Sequence, residues 1–173
     1  LGPKPEDIRY QDIWSLFLAL KMLIQYHDVT RDQRIVTAVE KCLRRIDLHI
    51  DNPTLSCWAQ FRWFEALIPL YWLYEKIGEP WLLDLATKLC SQGFDWKTFF
   101  AHWPGTQPTP KGRWNFMGHV VNNAMAIKAH GLWWRQSAKE EDRAAVYDMI
   151  DKLDRYHGMV TGVFTGDECL AGM

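Results

Sequence analysis

Residues 58–80 read WAQFRWFEALIPLYWLYEKIGEP, and this stretch decides the fold class. Apolar side chains cover nearly every face from Trp58 to Ile77, broken only by Pro69, a pattern that predicts a helix buried all round. Gly78 suits a left-handed helix stop and Pro80 the first turn of a following helix. Beyond them Leu82, Leu85, Leu89 and Cys90 form a single stripe, so the next element is an amphipathic outer helix laid against a buried inner one.

The same couplet lies upstream. From Ile8 to Tyr26 apolar residues again occupy almost every face, and Thr30-Arg-Asp-Gln33 has the spacing of a capping box that would start a second helix. In that helix Ile35, Val39, Cys42 and Ile46 make the stripe, with Arg31, Arg34, Lys41, Arg44 and Asp47 largely off it. Ala19-Leu20 matches Ala66-Leu67, Tyr26 matches Tyr74 and Cys42 matches Cys90 at offsets of 47 to 48 residues, an in-phase internal repeat. A third couplet runs downstream from about Met117 to Trp134. After the capping-box spacing Ser137-Ala-Lys-Glu140 it continues from about Glu140 to Arg155, with Ala145, Met149 and Leu153 as its stripe. The expected fold is all-α, antiparallel helical hairpins forming an α-solenoid or a closed (α/α) toroid. Residues 1–173 are expected to be part of one domain, and the opening Leu1-Gly2-Pro3, without an initiator Met, predicts an excerpt of a longer protein.

Composition narrows the function. A 173-residue chain with 48% hydrophobic content supports a real core. Its 20 Lys+Arg against 21 Asp+Glu leave a formal net charge of -1, so no global field draws in nucleic acid or an anionic membrane. The longest apolar stretches, such as Ala66 to Tyr74, are too short to span a bilayer and no basic-then-apolar leader opens the chain, which predicts a soluble protein without fixing its compartment. Cys42, Cys57, Cys90 and Cys169 show neither C-x-x-C spacing nor disulfide-scaffold density, and no zinc signature is present. Ten tryptophans are the unusual entry, since indole faces pack cores and also stack on sugar rings.

Connection lengths locate the candidate site. The turns near Asp28, Gly78 and Gln136 are tight, whereas 50–56, 93–116 and the stretch after Tyr156 are long and rich in Pro, Gly and aromatics. In an up-and-down array the long connections share one end, where Arg62 and His119 open their helices. Loops beyond roughly 12 to 15 residues in a compact domain usually serve function. The sharpest segment is Tyr156-His157-Gly158 through Gly166-Asp167-Glu168, in which Glu168 among apolar groups would stay protonated and act as a general acid. The plainer alternative is that Asp167 or Glu168 caps a helix. His119 and Asn122, three residues apart on one face, form a polar pair that either binds a sugar hydroxyl or is satisfied inside the core. Trp103 and Trp114, with His102 and Arg113 in the same loop, either stack on a saccharide or pack beneath the loop. Arg62 binds a substrate oxygen or pairs with Glu65.

These residues resemble a known family. Tyr156-His157-Gly158, Gly166-Asp167-Glu168, Leu170-Ala171-Gly172 and the upstream Gly118-His119-Val120-Val121-Asn122-Asn123-Ala124 look like glycoside hydrolase family 127, the β-L-arabinofuranosidase-like proteins. Leu1-Gly2-Pro3 and Leu70-Tyr71-Trp72-Leu73-Tyr74 fit as well. The resemblance implies an (α/α)6 toroid of which three hairpins make about half, acting on a plant-cell-wall type of carbohydrate. It implies that His119 binds the sugar and that Glu168 is the acid/base or a sugar-binding acid, and Arg62 falls near a position where some members place a substrate-binding His. Asn122, His157, Asp167, Trp103 and Trp114 are expected beside them as substrate-binding residues from their place on the long-loop end. The resemblance also implies a zinc-bound cysteine nucleophile held by a Glu-x-Cys segment and a cysteine pair, neither of which occurs in these residues, so this chain is expected to bind no zinc and to be inactive alone. Half a toroid would leave inner-helix flanks to be covered by the rest of the parent chain or by a second copy. The competing expectations are a non-catalytic helical-repeat module that binds protein or glycan, and a different toroid enzyme using a carboxylate pair.

Overall fold

A computed structural model describes residues 12–51, 54–107, 110 and 113–170. The regular elements among the described residues are mostly helices: α1 Trp14–Thr30, α2 Arg34–His49, α3 Cys57–Phe61, α4 Leu67–Ile77, α5 Trp81–Gln92, α6 Trp96–Ala101, α7 Val120–Ala126, α8 Ala129–Ser137, α9 Glu140–His157, then β1 Gly166–Asp167 paired antiparallel with β2 Cys169–Leu170. The chain divides into two compact units, Leu1–Gly93 and Phe94–Met173. Among the described residues no helix is long and apolar enough to cross a membrane.

In the first unit α1 packs on α2 and α4, and α4 packs on α5, as the repeat predicts. Phe17, Leu20, Leu43, Ile46, Leu67, Leu70, Leu82 and Leu89 close the core. The expected inner helix over 58–77 is not continuous. It breaks at Arg62 and passes through a 3-10 turn at Trp63–Ala66 before α4 begins. Pro69 is the reason: it offers no N–H to the carbonyl of Glu65 and its ring would crowd that carbonyl in a straight α-helix, so the tighter turn absorbs the conflict. Gly78 stops α4 as read, with φ 68 in the left-handed region and its N–H on the Tyr74 carbonyl at 2.9 Å.

Two further expectations need correction. Thr30 and Ser137 are the last residues of α1 and α8 rather than caps of the following helices. Gln33 is the residue before α2 and makes no side-chain cap; Asp32 Oδ1 accepts from Arg34 N, the first residue of α2, at 3.0 Å, while Thr30 turns its hydroxyl back to the Tyr26 carbonyl at 2.9 Å. The inner helix read through Ile8–Tyr26 is not buried all round either. Leu18, Met22, Tyr26 and Val29 are exposed, spaced four, four and three apart on one flank of α1.

The second unit is built on α9, against which α6 and α8 pack. Trp96, Phe100, Ala129, Met149 and Leu153 form its core. The expected helix Met117–Trp134 is two pieces, α7 and α8, joined where Lys128 N bonds the Met125 carbonyl in a tighter i to i+3 step. A buried polar knot ties three helices: Asp142 on α9 accepts from Lys97 Nζ at 2.8 Å and from Ser137 Oγ at 2.7 Å, and its Oδ1 stands 3.3 Å from His130 Nδ1. His130 Nε2 in turn accepts from Lys97 N at 3.1 Å, which places the imidazole proton of the neutral ring on Nδ1, facing Asp142. Burial raises the Asp142 carboxyl, but the hydrogen bonds from Lys97 and Ser137 outweigh it and hold the group below its ordinary value.

Candidate functional site

The loop after α6 opens with a stack. Trp103 lies flat on Phe100, centroids 4.6 Å apart and planes 12° from parallel, and its edge meets His157 at 5.8 Å. Gly105 follows at a position where a Cβ would strike the Trp103 ring, so the backbone can pass there only without a side chain. Its carbonyl accepts from His157 Nε2 at 2.6 Å. Farther along, Trp114 is 42% exposed and meets Phe116 and His119 edge-on, at 5.0 and 5.9 Å. Asn115 Oδ1 accepts from Gly118 N at 2.6 Å, an Asx-type turn that aims the chain into α7.

His119 caps α7. Its backbone is extended and its Nδ1 accepts from Asn122 N at 3.2 Å, which in the neutral ring leaves the proton on Nε2. Asn122 is fully buried and donates through Nδ2 to the Phe116 carbonyl at 2.8 Å. Asn123, beside it, donates to the Met117 and His119 carbonyls at 2.7 and 2.9 Å. The two amides therefore bind the 116–119 turn to the first turn of α7.

The segment after α9 folds back on this turn. Gly158 bridges Phe164, and Thr165 N donates to the His157 carbonyl at 3.4 Å. Val120 N donates to the Glu168 carbonyl at 2.8 Å and Leu170 N to the Gly118 carbonyl at 3.0 Å, so the Gly166–Leu170 ladder is laid along 118–120. Glu168 sits in the turn between β1 and β2 with φ 59 and is exposed. The side chain of Asp167 lies outside the described set.

Together these pieces enclose a cleft of about 800 Å3 walled by Phe99, Trp103, Trp114, Met117 and Leu170, with Gln107, Arg113 and Asn115 as its polar groups. That volume is typical of a small-molecule site. The structure thus brings Trp103, buried, and Trp114, exposed, to one cleft; His119 follows its wall residue Gly118, and Glu168, in the β1–β2 turn, is not among the described wall residues. The fold turns Asn122 and His157 inward as scaffold. No carboxylate lines the described wall. The exposure of Glu168 also differs from the apolar surroundings on which the general-acid reading rested. Arg62 belongs to the first unit, where its guanidinium lies over the Trp14 and Trp58 rings at 4.7 and 4.4 Å from their centroids. Burial lowers its pKa first, opposed by the charges of Glu65 and Asp12.

Among the described residues no group of three or more His, Cys, Asp or Glu side chains is placed to hold a metal. A second groove of about 550 Å3, between α7 and α9, is lined by Val121, Ala124, Ile150, Val163 and Phe164, with Asp154 as its one charged group. It lacks the converging polar groups a sugar requires. Sequence reasoning missed Gln107, Asn115 and Asn123. For Asn115 the signal was present, an Asn three residues before a Gly in a turn. No protein-family model, curated protein or solved structure matches the chain.

Proposed function

We propose that the chain is part of the catalytic (α/α) toroid of a β-L-arabinofuranosidase-like glycoside hydrolase, and that the cleft of the second unit is its carbohydrate site. The observation that carries this reading is the meeting in one cleft of the exposed Trp114 indole with the planar donors and acceptors of Arg113, Asn115 and Gln107, over a wall that the buried Trp103 supports from its stack on Phe100. A furanose ring offers an apolar face to an indole and a rim of hydroxyls to amide and guanidinium groups. The Gly166-Asp167-Glu168 turn, bonded to the entry of α7, brings an acid to the edge of the same region. In this reading Glu168 exchanges a proton with the glycosidic oxygen, His119 donates from Nε2 to a hydroxyl, and the exposed flank of α1 is covered by further residues of the parent protein.

A glycan-binding module without catalysis is favoured by one observation, the absence of a carboxylate from the described cleft wall. Turnover separates the two. The full-length protein and its Glu168→Gln variant are assayed on an aryl β-L-arabinofuranoside with an activated leaving group. The hydrolase reading expects release of the aryl alcohol. It also expects a loss of at least about 100-fold in the variant on a substrate with a poor leaving group, in line with the usual worth of a general acid. Undiminished turnover of the substrate with the poor leaving group removes Glu168 from catalysis, and binding without any turnover favours the module.

A further inference from the structure

We propose that His157 is a positioning residue that ties both walls of the cleft together, and that it acts through the Gly105 carbonyl rather than by touching a ligand. The inference rests on the carbohydrate reading of that cleft. His157 is the last residue of α9 and is 1% exposed, so it is out of reach of a sugar in the cleft. Its side chain and its backbone point to different walls. Nε2 meets the carbonyl of Gly105, in the loop that carries Trp103, at 2.6 Å. Its own carbonyl accepts from Thr165 N, at the head of the segment that ends in Glu168 and Leu170.

The chemistry of the contact fixes what the residue must be. A carbonyl only accepts, so Nε2 must carry a proton and donate. The ring also abuts Trp103, which is itself clamped flat on Phe100, and Gly105 has no room for a side chain against that indole. Loop backbone at 103–105 is therefore set by three rigid rings and one hydrogen bond. Pre-organisation of this kind lowers the ordering cost of binding and shows in affinity more than in the chemical step.

The test uses the full-length protein with His157→Gln, which can place an amide N–H near the Nε2 position, and His157→Asn, whose shorter amide cannot reach it. Two readouts are taken, hydrogen exchange of the 101–107 and 165–170 amides, and KM and kcat on the aryl β-L-arabinofuranoside. The expected result is faster exchange of both segments in His157→Asn with KM raised about 10-fold or more and kcat changed far less, and near-native behaviour in His157→Gln. Unchanged exchange in His157→Asn, or equal loss in both variants, overturns the proposal. If no variant and no wild-type protein turns over the substrate, the carbohydrate reading has failed, while the exchange data still decide whether His157 holds the two walls.

Discussion

Two places in this molecule combine tryptophan with arginine, and they use the combination in opposite ways. In the first unit the Arg62 guanidinium lies over both the Trp14 and the Trp58 ring, and Asp12 accepts from Trp14 N, Trp58 N and Ala59 N at 3.0, 3.2 and 3.1 Å, tying the first turns of two helices beside the same cation. In the second unit Trp103 has one face on Phe100, Trp114 is two-fifths exposed, and Arg113 stands in the wall of an open cleft. Composition is shared; closure is not. Aromatic and cationic groups that close on one another hold a fold, while in the second unit Trp114 and Arg113 remain on the wall of a concave surface.

The largest expected effect comes from breaking the closed cluster. Arg62→Ala removes a buried cation that lies over two indoles and leaves a gap, at a cost of about 2 to 3 kcal/mol by the usual worth of desolvated cation–π contacts and lost stem packing. Thermal melting checks it, and a change under about 0.5 kcal/mol would mean that the rings pack equally well without the cation.

A smaller effect sharpens the contrast within the second unit, whose polar knot is closed even though its cleft is open. Burial lowers the pKa of His130 from its ordinary 6.5, with Asp142 opposing and Lys97 adding to the shift. A histidine held neutral in the fold contributes stability that is present above the unfolded value and is lost as pH falls through it toward the folded one. Melting temperature should therefore decline as pH falls through and below the ordinary histidine value of 6.5, and the slope should flatten in His130→Leu. An unchanged slope in that variant would assign the dependence to other groups.

Much of the scaffold was legible because helix periodicity is local. The stripe Ala145, Met149 and Leu153 is buried on α9, Val39 and Ile46 are buried on α2, and Gly78 ends α4 where a left-handed residue was required. The breaks at Arg62 and after Ala126 were not legible, because apolar residues on every face look alike whether a helix is straight or interrupted. The exposure of Leu18 and Met22 was hidden for a related reason, since a side chain's polarity does not say whether another element covers it. At the site, Trp103, Trp114 and the loop that carries them could be read from composition and loop length. The inward turn of Asn122 and His157 could not, because their acceptors are backbone carbonyls that become available only when the 105 and 116–119 turns have formed.

The smallest expected effect on stability belongs to Trp114, and it accompanies the most direct test of the account. Truncating this half-exposed ring should move the melting temperature little, by the equivalent of about 0.5 kcal/mol or less. Stacking on a sugar is the role assigned to it. Titration of the full-length protein with an arabinofuranosyl oligosaccharide, followed by tryptophan fluorescence, should give a saturable change that weakens about 10-fold or more in Trp114→Ala while the melt stays put. No saturable change in the full-length protein, or binding undiminished in Trp114→Ala, would contradict the claim that the open cleft takes carbohydrate.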